Sequence, residues 1–147
     1  FKMGTVEVEV LEPGFEKIDG AIEDTVYPKT VQVISKGTKK TYVRVRLIPE
    51  WSDSSLPVSN VQLILAGNND WLDRRQQDGY FYFKYYLTQG QETSPLLASV
   101  KFTELGPEYE GKTFTLKVVA EGVQISNVWG LTELPFDANQ SWNPNPK

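Results

Sequence analysis

The side chains that most often carry out catalysis are missing from this sequence. It contains no histidine and no cysteine. A Ser-His-Asp triad, a Cys-His pair, an HExxH zinc site and a thiolate metal site are therefore all excluded. The groups left to do chemistry are carboxylates, aromatic rings and amines. We predict a protein with no catalytic residue and no cofactor.

Carboxylates come close together in three loops of the sequence. These clusters are Asp19, Glu23 and Asp24, then Asp70 and Asp73, then Glu108 and Glu110. A glycosidase needs two carboxylates across a cleft, and nothing in the spacing places two of these that way, so we interpret them as solvated surface acids. The loop from Asn68 to Asp73 offers hard oxygen ligands for calcium but lacks the EF-hand pattern. We predict no metal site and leave a weak calcium site in that loop open.

The densest aromatic segment runs from Tyr80 to Tyr86, where only Lys84 interrupts the rings. Strand alternation puts the phenylalanines on a core face and Tyr80, Tyr82 and Tyr86 on the opposite face. We interpret this second face as a tyrosine-rich surface that is open to solvent or half covered by a loop. The alternative is a contact surface for a protein or a glycan, with these three tyrosines as the binding residues.

Four tryptophans, Trp51, Trp71, Trp129 and Trp142, could form a sugar-stacking platform only if they converged in space. They are scattered along the chain at strand ends and in loops, and their spacing does not indicate convergence. We predict that Trp51 and Trp129 plug the ends of the core. Trp142 is expected to be the least buried of the four.

The elements that must position these side chains read as strands. Period-2 alternation of apolar and polar residues, bounded by turn residues, marks seven segments: 5–10, 30–35, 41–48, 58–65, 80–87, 97–102 and 113–125. Pro49 is expected to end the third of them, residues 14–28 read as irregular, and a short helix is allowed at 71–77 or 107–109. We predict an all-β antiparallel sandwich of about seven or eight strands, either jelly-roll-like or immunoglobulin-like.

Composition is that of one folded domain, because 39% of the 147 residues are hydrophobic and 23% are charged. We assign 1–135 to the sandwich and the Asn- and Pro-rich 136–147 to a flexible tail or linker. A net charge of −4 argues against nucleic acid as a partner. No apolar run is long enough to span a membrane. The chain opens on Phe1 rather than Met, and we interpret it as a mature or trimmed chain whose targeting segment has been removed.

Four segments, in this order, resemble the TasA/camelysin family of exported Gram-positive surface proteins. They are FKMGTV at 1–6, KGT with YVRV at 36–45, DGYFYFK with the PL return at 78–96, and YEGKT with the following strand at 109–124. The resemblance covers most of the chain up to about Trp129. Some relatives are described as metalloproteases, but that activity is not carried over to a chain without histidine.

The resemblance implies a jelly-roll fold and export to the extracellular space or cell surface. It also implies a structural role in a matrix fibre or biofilm, with self-association or a related fibre subunit as the partner. In such fibres an N-terminal strand completes the open sheet of the next subunit. We therefore expect Phe1, Gly4, Val6 and Val8 to lie near an assembly interface. A carbohydrate-binding or adhesive module, with a polysaccharide as partner, is the alternative.

Overall fold

The computed structural model describes residues 4–126 and Trp142. Within them the chain forms nine strands and one 3₁₀ helix, Pro107–Tyr109. The strands are β1 (Val8–Leu11), β2 (Ile18–Asp19), β3 (Val26–Ser35), β4 (Thr41–Trp51), β5 (Val61–Leu65), β6 (Trp71–Arg74), β7 (Tyr80–Phe83), β8 (Leu97–Phe102) and β9 (Thr113–Gln124). The predicted all-β class is confirmed.

The strands form two antiparallel sheets that pack as a sandwich. One sheet has the order β1-β3-β8-β5 and the other the order β2-β9-β4-β7-β6. The chain changes sheet at every described connection except the one from β6 to β7, which is the jelly-roll-like feature of the fold. The strand count exceeds the predicted seven or eight because two short strands, β2 and β6, carry too few residues for an alternation to be recognised.

The longest ladder joins β4 to β9, from Thr41 opposite Gln124 to Trp51 opposite Phe114. The prediction that Pro49 ends β4 is wrong, since the strand continues to Trp51. The N–H of Thr41 bonds to Leu87 on the β7 side of the strand. Alternation directs the nitrogen of Pro49 to that same side. Pro49 lies beyond the part of β4 that pairs with β7. The N–H that proline lacks therefore removes no hydrogen bond from that ladder.

Two other local predictions need correction. Residues 71–74 form strand β6 rather than a helix, because Trp71 pairs with Phe83 across the sheet. Residues 14–28 are not wholly irregular, since they contain β2 and the first residue pairs of the ladder between β3 and β8. The short helix at Pro107–Tyr109 is confirmed.

The core lies between the sheets and is closed at one end by Trp51, as predicted. This indole is 6% exposed. Its ring lies 5.0 to 5.3 Å from the rings of Tyr109, Phe114 and Phe102. The other fully buried side chains include valines of β3 and β4 and the phenylalanines of β7. Seventeen buried residues make up this single cluster, so the described chain has one continuous core.

Trp142, expected to be the least buried tryptophan, is half-buried and packs against the sandwich. Its ring lies 5.1 Å from that of Phe83 and 5.4 Å from that of Tyr85. Its backbone N–H donates to the carbonyl of Tyr86, and its carbonyl accepts from the Gln91 side chain. Trp129 and the rest of the predicted tail at 136–147 lie outside the described residues.

Candidate functional site

A polar cluster lies on the outward face of the five-stranded sheet, and we call it the Arg44 cluster. It consists of Arg44, Asp78, Tyr80, Tyr82 and Glu121. Strand pairing builds it, because Arg44 of β4 lies opposite Tyr82 of β7 on one side and opposite Glu121 of β9 on the other. Side chains directly opposite each other in an antiparallel ladder point to the same face. The three strands therefore present these groups together.

Hydrogen bonds connect all five members of the Arg44 cluster. Arg44 donates from Nε and Nη2 to Oε2 of Glu121, at 3.0 and 2.8 Å. Its Nη1 donates to the hydroxyl of Tyr82 at 3.1 Å. That hydroxyl donates in turn to Asp78 at 2.6 Å, while Tyr80 donates to Oε1 of Glu121 at 3.0 Å. The guanidinium also stacks on Tyr80, with Cζ 4.0 Å from the ring centroid.

The electrostatics of the Arg44 cluster favour its charged, paired form. Burial would raise the pKa of Glu121, but the hydrogen bonds from Arg44 and Tyr80 outweigh it and the pKa is lowered. Burial tends to lower the pKa of Arg44, yet its bonds to Tyr82 and Glu121 leave it raised. Burial, followed by the bond to Asp78, raises the pKa of Tyr82. The cluster is thus a charged hydrogen-bonded network that links three strands.

The three tyrosines that were candidate binding residues do not form one exposed surface. Tyr82 is fully buried although it faces outwards from its sheet. Tyr80 is half-buried, and its ring is inclined at 61° to that of Tyr82. Tyr86 is half-buried, with the Lys40 ammonium 5.3 Å from its ring centroid. A sugar ring stacks on an accessible flat aromatic surface, and this arrangement does not supply one.

Two side chains of the loop from Asn68 to Asp73 form hydrogen bonds within the protein. Oδ1 of Asn68 accepts the N–H of Asp70 at 3.1 Å, and its Nδ2 donates to Pro95. Asp73 is bound by Arg75 at 2.8 Å, and this hydrogen bond lowers the pKa of that carboxyl. Within residues 4–126 and Trp142, no group of three or more acidic side chains is arranged to hold a metal ion.

Of three surface cavities among the described residues, none contains a pair of acids. The largest, about 500 Å³, lies between Pro49 and Val58 and includes only Glu50. A cavity of about 310 Å³ beside the 3₁₀ helix includes only Glu110, and one of about 350 Å³ near Lys39 contains no carboxylate. The cleft geometry of a glycosidase, with two facing carboxylates, is not present in these cavities.

A second site is formed by the N-terminal strand, which occupies a groove in its own chain. β1 is an edge strand and pairs only with β3 among the described strands. Val6 and Val8 lie against Gly122 of β9. A Cβ at Gly122 would come within 2.8 Å of Val8 Cγ1 and 3.1 Å of Val6 Cγ1, and within 3.0 Å of Thr41 Cγ2, so any larger residue there would displace these side chains.

Gly37 forms the other wall of this groove. The N–H groups of Lys36 and Gly37 donate to the carbonyl of Glu7, at 2.8 and 3.2 Å, and that of Lys39 donates to Thr5 at 2.9 Å. A Cβ at Gly37 would overlap the backbone of Thr5 and Glu7. We call the space bounded by Gly37 and Gly122 the N-terminal groove.

The residues expected near an assembly interface occupy this groove in part. Val8 is half-buried in it. Val6 lies against Gly122 but is 38% exposed, and Gly4 is exposed beside the Lys39 side chain. Phe1 lies outside the described residues. The roles of Gly37 and Gly122 were not predicted. The available signal was a glycine inside the strand pattern at 122, which often marks close approach of another backbone.

Fold and sites together define an antiparallel β-sandwich whose edge strand lies in a glycine-walled groove. Among the residues that the structure describes, no helix is both long enough and apolar enough to cross a bilayer. No protein-family model, curated protein or solved structure matches this chain significantly. The resemblance to the TasA/camelysin family therefore stays a prediction from the sequence.

Proposed function

We propose that this chain is a secreted, non-enzymatic structural subunit of an extracellular bacterial fibre or biofilm matrix. Copies join when the segment 4–11 of one subunit occupies the N-terminal groove of the next. The observation that carries the proposal is the groove itself. It holds an extended segment at a sheet edge through backbone hydrogen bonds and two valines packed against Gly122.

Exchange of this segment between subunits is inexpensive because it replaces contacts with identical ones. The segment of a second copy would form the same ladder with β3 and place the same valines against Gly122. Swapping an identical element in this way is a low-cost route to association. An exchange that runs from each subunit to the next, rather than back to the first, yields an open filament.

A reversible lock on β1 tests this function. Glu9 and Ile34 are register partners in the ladder between β1 and β3, and directly opposed positions are within reach of a disulfide. Because the natural chain has no cysteine, the double variant Glu9→Cys/Ile34→Cys forms a single defined bridge. We expect filaments of the full-length natural protein in electron micrographs, none from the oxidised variant, and their return after reduction.

The matched control places a bridge where it does not restrain β1. Arg46 and Val119 are partners in the ladder between β4 and β9, so Arg46→Cys/Val119→Cys should polymerise in both redox states. A natural protein that stays monomeric across concentration and pH would refute the fibre function. Filaments that persist in the oxidised Glu9→Cys/Ile34→Cys variant would refute exchange of this strand.

A further inference from the structure

Among the described strands, β1, β5, β2 and β6 lie at the edges of the two sheets, and β5 differs from the others in charge. β1, β2 and β6 contain Glu9, Asp19 and the pair Asp73 and Arg74, respectively. β5 has the sequence VQLIL. It lies in the longest uncharged run of the sequence, residues 54–69. Charged side chains and prolines are the usual means by which sheet edges avoid pairing with another chain, and β5 has neither.

The backbone of β5 is regular and presents bonding groups on its open side. The backbone carbonyl of Asn60 accepts the N–H of Thr103, and the N–H of Ala66 donates to the backbone carbonyl of Leu96. Even-numbered residues therefore bond towards β8, and alternation turns the N–H and C=O of Leu63 outwards. Within the described chain no strand pairs with β5 on that side. The irregularity between β5 and β8 adds a residue to β8, so β5 itself stays straight.

The side chains of β5 match this open edge. Val61, Leu63 and Leu65 pack on the core but remain half-buried, as expected where a sheet stops without a neighbour. On the outer face Gln62 is exposed and Ile64 is 36% exposed. An added strand would complete the burial of the three core-facing residues and would cover part of Ile64.

We propose that a second copy of this chain pairs antiparallel along β5, about a two-fold axis at Leu63. Leu63 then faces its equivalent, Val61 faces Leu65, and Gln62 faces Ile64, with each pair on one face of the sheet. On the core-facing side apolar residues meet apolar residues, and no like charges meet on either face, so β5 is complementary to a second copy of itself. The two four-stranded sheets join into one of eight strands, by the isologous contact typical of two-fold dimers.

This dimer contact does not rest on the proposed exchange of the N-terminal segment. β1 and β5 are the opposite edges of the same sheet, so both contacts can form at once or separately. The oxidised Glu9→Cys/Ile34→Cys variant, in which β1 is locked, is expected to dimerise through β5 as the natural protein does. Loss of fibres and loss of dimers are therefore distinguishable results.

Sedimentation velocity over a range of concentrations, combined with paired charges at the outer-face positions, tests the contact. Gln62→Lys/Ile64→Lys places like charges opposite each other twice in the symmetric pair. We expect it to raise the dimer Kd by about tenfold or more. Gln62→Lys/Ile64→Glu places opposite charges at the same two positions and should keep the Kd within about threefold of the natural value. Both positions are exposed, so neither variant disturbs the core.

A charge reversal at the other edge serves as the control. Glu9→Lys on β1 should leave the dimer Kd unchanged. Dimer formation should protect the outward-facing N–H of Leu63, so its exchange with solvent should slow as the protein concentration rises. A chain that remains monomeric at millimolar concentration would overturn the proposal. So would a dimer that Gln62→Lys/Ile64→Lys leaves intact or that Glu9→Lys dissociates.

Discussion

The guanidinium of Arg44 lies 2.8 Å from the carboxylate of Glu121, across the ladder between β4 and β9, and stacks on the ring of Tyr80. The contact joins three neighbouring strands on a face that is not the main core. Only 17% of the Arg44 side chain is exposed, so solvent screens the pair less than a surface ion pair. We infer that the Arg44 cluster stabilises the five-stranded sheet from outside.

Replacing Arg44 should lower the free energy of unfolding more than replacing the neighbouring Arg46 does. Arg44→Leu removes the donors to Glu121 and Tyr82, and we expect the free energy of unfolding to fall by about 2 kcal/mol. Arg46 lies two residues further along the same face, is exposed, and sits 5.9 Å from the Tyr80 ring centroid. Urea denaturation of Arg46→Leu should give a change within about 0.5 kcal/mol. Equal losses in the two variants would contradict a special role for Arg44.

The stability of the sheet should depend on pH through Glu121. The pKa of this carboxyl is lower in the folded chain than in the unfolded one, where it is about 4.3. Its contribution is therefore complete above that value and is lost as pH falls through the folded pKa. The natural protein should be more stable than Glu121→Gln, and the difference in free energy of unfolding should be largest at neutral pH and smallest near pH 3. Urea denaturation across this pH range measures it.

The same titration on Glu110→Gln provides the control for the pH experiment. The Glu110 side chain is exposed at the end of the 3₁₀ helix. Because that side chain makes no buried contact, its replacement should change the free energy of unfolding by no more than about 0.5 kcal/mol. A Glu121→Gln difference that grows on acidification would show that the sign of the linkage is wrong.

Lys29 should hold the segment that connects β1 to β2. Its side chain is 2% exposed, and Nζ donates to the carbonyl of Phe15 at 2.7 Å and lies 3.2 Å from Glu12. Lys29→Met keeps the apolar stem but leaves that carbonyl without its donor, at a cost of about 1 to 3 kcal/mol. We expect faster proteolysis between residues 12 and 25. Lys17→Met, at a side chain that is 65% exposed, should change neither cleavage nor stability.

Trp142 should stabilise the sandwich, because its indole packs on Phe83 at the end of β7 and on Tyr85 just after it. Trp142→Ala removes the packing on Phe83 and Tyr85. Because the side chain is half-buried, we expect a loss of about 2 kcal/mol, below the 3–5 typical of a buried ring. Thermal unfolding followed by circular dichroism measures it. Ile22→Ala, at a position 62% exposed, is the control, and equal midpoints for the two variants would contradict the packing role.

The alternation of β4 was sufficient to predict its faces, because Val43 and Val45 are fully buried while Arg44 and Arg46 point outwards. Alternation could not predict that Tyr82, on the outward face, is also buried. That burial depends on what lies over the sheet and on the distant partners Arg44 and Asp78. Periodicity reports which face a side chain occupies, and only tertiary structure decides whether that face meets water.

The N-terminal groove marks a further limit of sequence reasoning. Gly37 reads as a turn residue and Gly122 as a weak point in a strand. Their shared role arises because β3, β9 and the segment before β1 meet in space, although the two glycines are far apart along the chain. The charge pattern of β5 was readable in the sequence, but its position at a sheet edge was not.

The ladder between β4 and β9 has a consequence for how the chain acquires its fold. Thr41 pairs with Gln124, a partner about 80 residues later in the chain. At a synthesis rate of about 5–20 residues per second, the earlier strand waits roughly 4–16 s for the later one to be made. Until then β2 has no neighbour, and the sheet lacks its longest ladder. The five-stranded sheet can therefore close only after β9 has been synthesised, so the non-local ladder between β4 and β9 forms late.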